Sequence, residues 1–361
     1  MKLYTPLFWT LSLFFYSNLV ASEMNERPNP KIIPITTQQP ENEKRYPIAI
    51  IGAGAAGTMA VQRAVLNNNE VLLFTGTREE QRSSRGYWVR KVENIPGFSK
   101  YERTVLELRN ETLEELSRRP LCNNLYVIED SIAVVEKDGT GFKLTDKSGR
   151  TYHTEYVILA TGIMDEQPHV QGSIRPILKY ANNQSIAYCL LCDGHRSFQK
   201  QTAVIGHSEL AAEMTLILSK KYQPSSLSIF TNGHQNEFSA ELLKELETQN
   251  ISIYESPILD FIPDENLKIL TGIKLENGEE VPVEIGFVAL GIRPNNKLAL
   301  QIGAQVDDRG LVITDSTGET SVPNFFVIGD LRSHSLKQIY IAWEHAVTAA
   351  LSISSSILDS K

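Results

Sequence analysis

Pro47-Ile48-Ala49-Ile50-Ile51 is an apolar run with no polar alternation. A strand with one wet face alternates, so an unbroken run predicts a strand buried on both faces of a parallel sheet. Gly52-Ala53-Gly54-Ala55-Ala56-Gly57 follows, then a helical pattern from Thr58 to Leu66, then a second apolar run, Val71-Leu72-Leu73-Phe74. Strand, glycine turn, helix and strand together make a βαβ unit. The pattern returns once. Thr202 to Ile205 reads as a strand, Gly206-His207-Ser208 as a turn, Glu209 to Ser219 as a helix and Leu227-Ser228-Ile229-Phe230 as the next strand. Tyr156–Leu159, Gly286–Leu290 and Phe325–Ile328 are further buried strands, and a long helix is predicted from about Lys337 to Ile357. The chain therefore reads as α/β with two nucleotide-binding folds.

The stretch before Tyr46 is of another kind. Lys2 precedes an apolar segment, Leu7 to Tyr16, broken by Thr10 and Ser12, and the small residues Val20-Ala21-Ser22 come next. A charged start, a short apolar centre and small residues predict a secretory signal over residues 1–22, and hence a periplasmic or secreted protein. The alternatives are a retained membrane anchor, for which the segment falls short of about 20 unbroken apolar residues, or a cytoplasmic chain. Residues 23–45, rich in Pro, Asn, Glu and Gln, read as a flexible linker. The 361 residues, 42% of them hydrophobic, suffice for two moderate cores. A net charge of −8 without a long basic run argues against a nucleic-acid partner.

Three cysteines make no disulfide framework. Cys122 stands alone and reads as a small buried hydrophobe. Cys189 and Cys192 are separated by two leucines. In such a pair one thiolate attacks a disulfide and its neighbour resolves the mixed disulfide. A zinc site wants about four ligands and only His195 stands near, so no metal is expected. A purely structural disulfide is the plainer alternative. Asp193 directly follows the pair and can shuttle a proton as thiol and thiolate interconvert, or is simply a solvated loop carboxylate. At the first turn, Gly52 permits the bend, Gly54 lets backbone approach a pyrophosphate and Gly57 lets helix and strand pack closely. The helix N-terminus beyond them offers free N–H groups to phosphates. Gly329-Asp330 ends a strand before a helix, where the carboxylate can accept from a ribose or polyol, or merely cap. The helix starting near Lys337-Gln338 can aim its positive end at a flavin.

These stretches resemble, in order and over nearly all of Pro47 to Leu351, the low-molecular-weight thioredoxin reductase family of class II pyridine nucleotide–disulfide oxidoreductases. Ile51 to Gly57, with Ala55 among them, looks like its FAD fingerprint, and the second strand's ending in Thr75-Gly76 is similar to that of bacterial members. Val92-Glu93-Asn94-Ile95-Pro96-Gly97 resembles a flavin-side segment, and Ala160-Thr161-Gly162 another. Cys189-Leu190-Leu191-Cys192-Asp193-Gly194 resembles the redox motif, Val322 to Asp330 the second FAD motif, and Lys337-Gln338 the helix start beside the flavin. The resemblance implies two Rossmann-like domains, the second inserted into the first. Residues 46–166 and 288–361 would bind FAD, and residues 167–287 would form a pyridine-nucleotide-like domain carrying the cysteines. It implies Cys192 against the flavin, Cys189 attacking the substrate, and Asp193 as acid–base. It also implies a thioredoxin-like protein or a small dithiol or disulfide as partner, and a homodimer.

Two departures bear on the nucleotide. Gly206, Ser208 and Ala211 stand where the family's glycine-richer NAD(P) turn lies, and Ser208 adds a side chain there. Thr231-Asn232-Gly233-His234 replaces the arginines that would hold a 2′-phosphate. The choice between NADPH and NADH stays open. Thr-Asn-Gly also resembles thioredoxin reductase-like thiol oxidases, so an oxygen-using FAD dithiol oxidase is the alternative activity.

Overall fold

The computed structural model describes residues 39–41, 43–89, 91–98, 104–266 and 269–360. The expected secretory signal, and the expected linker through residue 38, lie outside them. The chain enters on β1 (Arg45–Ile51) and continues through helix α1 (Ala55–Leu66), β2 (Val71–Phe74), the single turn α2 (Arg85–Trp88), β3 (Leu125–Ile128), β4 (Ile132–Asp138), β5 (Gly141–Asp146), β6 (Thr151–Leu159) and β7 (Ile163–Asp165). The first sheet has the order β3-β2-β1-β6-β5-β4. Its β1, β2, β3 and β6 are parallel, and β4 and β5 are antiparallel. Central β1 has neighbours on both sides, and Ile48, Ala49 and Ile50 are buried completely. That is why its sequence does not alternate.

The second sheet is built from β8 (Ile186–Ala187), which precedes the one-turn helix α3 (Leu190–Asp193), and from β9 (Gln201–Ile205), helix α4 (Glu209–Tyr222), β10 (Ser226–Phe230) and β11 (Ser252–Tyr254). A small antiparallel sheet follows: β12 (Ile258–Pro263), β13 (Leu270–Leu275) and β14 (Glu280–Pro282). β15 (Ile285–Val288) then completes the parallel order β11-β10-β9-β15-β8. β16 (Ile292–Pro294) pairs antiparallel with β7, so the outward and return passages between the sheets run side by side. β17 (Phe325–Val327) rejoins β6 in parallel, and the long helix α5 (Ile339–Asp359) packs on α1. The protein is α/β with two Rossmann-like domains, the second inserted into the first.

Several boundaries differ from the sequence reading. Arg45 begins β1 instead of ending a linker, because it pairs with His153 of β6 and its guanidinium meets Asp138 at 2.5 Å. Helix α1 starts at Ala55, three residues early, since the Thr58 N–H already donates to the Gly54 carbonyl at 2.9 Å. Helix α5 starts after its N-cap Gln338, so Lys337 lies outside it. Val288 ends a strand of the second sheet. Cys122 is not buried. It sits half-exposed in a 3-10 turn at residues 122–124, because the turn runs over the surface between a helix and β3. Among the described residues, no helix is long and apolar enough to cross a membrane.

Candidate functional site

The three glycines after β1 do different jobs. Gly52 adopts φ +105°, and a Cβ there would lie 2.5 Å from the Ala160 carbonyl oxygen. A Cβ on Gly57 would lie 1.9 Å from the Gly52 carbonyl oxygen. These two are required by backbone packing alone. Gly54 is the reverse: a Cβ there meets nothing within 4 Å. It faces open space, at the N-terminus of a 12-residue helix whose first N–H groups have no intrahelical partner.

That space is a cleft in two parts that share Gly54, Ser84, Gly86 and Ala160 on their walls. One part, about 320 Å³, runs along Gly52, Thr75, Gly76, Asp130 and Thr161. Asp130 puts a carboxylate on this part beside the end of β2, where the Gly76 N–H donates to the Asp130 carbonyl at 3.2 Å. It follows β3, and nothing in the local sequence marked it. The other part, about 300 Å³, is lined by Asn94, Gly162, Asp330, Lys337, Gln338 and both redox cysteines. The cleft thus has a glycine-lined helix N-terminus in its middle and a polar wall at either end. An extended dinucleotide has that shape and chemistry, so the residues present suit FAD.

A disulfide joins Cys189 and Cys192. Cys189 is the N-cap of α3, and the Cys192 N–H donates to its sulfur at 3.1 Å. Gln338 Nε2 reaches both sulfurs, at 3.5 Å from Cys189 Sγ and 3.4 Å from Cys192 Sγ. Asn94 Nδ2 donates to Gln338 Oε1 at 2.7 Å and so fixes which way the amide points. Asn94, the disulfide and the start of α5, far apart in sequence, form one contact chain on one wall. Tyr188, beside Cys189, donates its hydroxyl to Gln167 Oε1 at 2.5 Å, and burial pushes its phenol well above the ordinary range.

Asp193 is half-buried on the same wall. Burial pushes its carboxyl above the usual carboxylate range, opposed by the charge of Arg196 and by His195. A carboxyl raised in this way exchanges protons nearer neutrality than a solvated one does. Arg196, which the sequence did not single out, lies 3.1 Å from Asp193 Oδ1, donates to Gln184 Oε1 at 2.8 Å and pairs with Glu93. It links the cysteine segment to the segment that carries Asn94. Asp330, in a 3-10 turn after β17, is likewise raised by burial and opposed by Arg85 and Lys337. Arg85 was also missed, since its neighbours Ser83-Ser84 and Gly86-Tyr87 carry no recognisable pattern.

The second glycine turn is built as a packing turn. The Gly206 N–H donates to the Phe230 carbonyl at 3.0 Å, and a Cβ on Gly206 would lie 2.5 Å from the Ala289 carbonyl oxygen. Ala211 is completely buried. Ser208 is the N-cap of α4 without a side-chain cap bond, and Glu209 puts a carboxylate in the first turn. His207 stacks on His234 with ring centroids 4.5 Å apart. Asn232 is occupied on both sides. Its Nδ2 donates to the His169 carbonyl, and its Oδ1 accepts from the Ile258 N–H, both at 2.9 Å. Gly206, Ser208 and Ala211 line neither part of the cleft.

Comparison with known proteins agrees with this geometry. The chain is 24% identical over 318 residues to the thioredoxin reductase of Treponema pallidum, covering 87% of this chain and 98% of that protein. It is 27% identical over 309 residues to the thioredoxin reductase of Listeria monocytogenes, covering 83% and 90%. Among solved structures, the thioredoxin reductase from Streptococcus pyogenes superposes with a TM-score of 0.74 at 22% identity, covering 88% of this chain and 99% of that one, which is a likeness of fold. The family profile described as Pyridine nucleotide-disulphide oxidoreductase matches residues 46–346. That match runs from the first strand into the last helix and takes in every residue of the cleft, and on it the chain belongs to the pyridine nucleotide-disulphide oxidoreductase family.

Proposed function

We propose that the chain is an FAD-dependent thiol–disulfide oxidoreductase of the thioredoxin reductase kind, passing electrons between NAD(P)H, FAD, the Cys189–Cys192 pair and an external disulfide. The observation that carries it is the place of the disulfide: it lies on the wall of the cleft lined by Gly54, Ala160, Gly162 and Asp330 of the FAD-type segments, with Gln338 touching both sulfurs. Bound FAD supplies two-electron transfer between a nicotinamide and a disulfide. Gly54, Ala55 and the α1 N-terminus would hold its pyrophosphate, Gly57 serving only to pack the helix on the strand, and Thr75, Gly76 and Asp130 would receive its adenosine end. Ala160, Thr161 and Gly162 would back it, Asp330 would accept from its polyol, and Asn94, Lys337 and Gln338 would border the ring. Two electrons and a proton open the Cys189–Cys192 bond to a thiolate and a thiol. Cys189 then attacks the substrate disulfide, displacing one substrate thiolate, and Cys192 breaks the mixed disulfide to release the second. Asp193 would give and take the proton. The substrate is a thioredoxin-like protein or a small disulfide.

The purified chain is expected to be yellow, with one FAD per chain. An anaerobic titration with NADPH or NADH should bleach the flavin, and dithiothreitol should reach the same reduced state through the cysteines. A chain with no flavin absorbance even after reconstitution with FAD would overturn this function.

Discrimination in favour of NADPH is expected to be weak. Thr231-Asn232-Gly233 presents no guanidinium, and Asn232 is already engaged with backbone. A charge-assisted contact contributes roughly 1.5–3 kcal/mol, about 10- to 150-fold in affinity. Stopped-flow flavin reduction by the two nucleotides is the measurement, and a strong NADPH preference would mean that other basic residues, such as Lys220 or Lys221, reach the site.

A further inference from the structure

On the part of the cleft that holds the cysteines, two of the carboxylates, Asp165 and Asp330, face one guanidinium. Asp165 is only 9% exposed, at the end of β7 where the passage between the sheets begins. Two like charges in one poorly solvated space repel and are costly to desolvate. Arg85 stands between them. Its Nε donates to Asp165 Oδ2 at 2.7 Å, its Nη2 bonds the other Asp165 oxygen, and its Nη1 lies 3.5 Å from Asp330 Oδ2. The bidentate grip on Asp165 fixes the plane of the guanidinium. It uses two of the five N–H donors and leaves those on Nη1 directed to the Asp330 side. Lys337, whose charge also acts on Asp330, is differently employed, since its Nζ donates to the Arg332 carbonyl at 2.6 Å.

We propose that Arg85 is a further FAD-binding residue, a fixed guanidinium that balances the two carboxylates and presents its Nη1 donors to the polar part of the flavin. This rests on the function proposed above. Arg85 lines the cleft and faces Asp330, the carboxylate that would accept from the polyol. Asp165 is then a positioning residue. It orients Arg85, and Arg85 in turn favours the charged form of Asp330 against the burial that raises its carboxyl.

The test is FAD affinity of the apo-protein, read by flavin fluorescence, for wild type, R85Q and the double variant R85Q/D165N. R85Q is expected to bind FAD about 10- to 150-fold more weakly, the range for a charge-assisted contact. It also leaves two carboxylates unbalanced, so part of its loss is structural. The double variant removes that imbalance and replaces the ion pair by two amides of similar size. If Arg85 serves the flavin, R85Q/D165N still binds FAD at least about 10-fold more weakly than wild type. If the double variant binds FAD like wild type, Arg85 only neutralises Asp165 and the proposal is overturned. A wild-type chain that takes up no FAD defeats the function itself, which is a distinct result.

Discussion

Replacing either redox cysteine by serine is expected to abolish disulfide turnover, by about 1,000-fold or more, because attacking and resolving groups act as a unit. A serine hydroxyl is not ionised near neutral pH and cannot substitute for a thiolate. The two variants should still differ. In Cys189→Ser the remaining sulfur is Cys192, within 3.4 Å of Gln338 on the cleft wall. With FAD bound, a thiolate there is expected to add a long-wavelength absorption band beside the flavin peaks. Cys192→Ser should lack the band while retaining its flavin. Both should keep the fold, since the disulfide closes a loop of only two intervening residues and constrains the unfolded chain little. Full turnover in both variants would make the pair structural. A band in both, or in neither, would reject the assignment of Cys192 as the sulfur facing the flavin.

The second large effect is Gly57→Ala, set against Gly54→Ala. The new methyl at position 57 would lie 1.9 Å from the Gly52 carbonyl oxygen and 3.3 Å from the Ala160 Cβ. Neither neighbour can yield easily. Gly52 is held at φ +105°, and its N–H donates to the Phe74 carbonyl. Overpacking against backbone costs about 3 kcal/mol or more. For a chain of this size that lowers Tm by roughly 4 °C or more. The loss should appear in the apo-protein, before any flavin is added. At position 54 the methyl meets nothing within 4 Å, so apo Gly54→Ala should melt close to wild type. Its penalty should fall on FAD affinity instead, because the methyl projects where phosphate would approach the helix. Differential scanning calorimetry of the apo-proteins and FAD titration of each separate the two effects. Equal destabilisation by both variants, or unaltered FAD affinity in Gly54→Ala, would show that the glycines do not divide as described.

Local patterns determined much about this protein. The unbroken apolar runs at Ile48–Ile51 and Val71–Phe74 announce strands covered on both faces, and the glycine turn between them marks the passage from strand to helix. The cysteine pair with its following aspartate was legible because here the residues that could share thiol chemistry are also neighbours in the chain. What only the tertiary structure decided are meetings across long separations. Gln338 touches Cys189 and Cys192 from about 150 residues away, Arg85 bridges Asp165 and Asp330, Asp130 comes to line the cleft beside the end of β2, and Arg196 joins Asp193 to Glu93. No periodicity marks such residues. A single polar side chain acquires its role from the charges and donors that the fold brings within about 3 Å of it, where hydrogen bonds form and burial reshapes its proton affinity. The same limit explains Cys122: apolar character alone suggests burial, but whether a turn is covered depends on which elements pack over it, and here none does so completely.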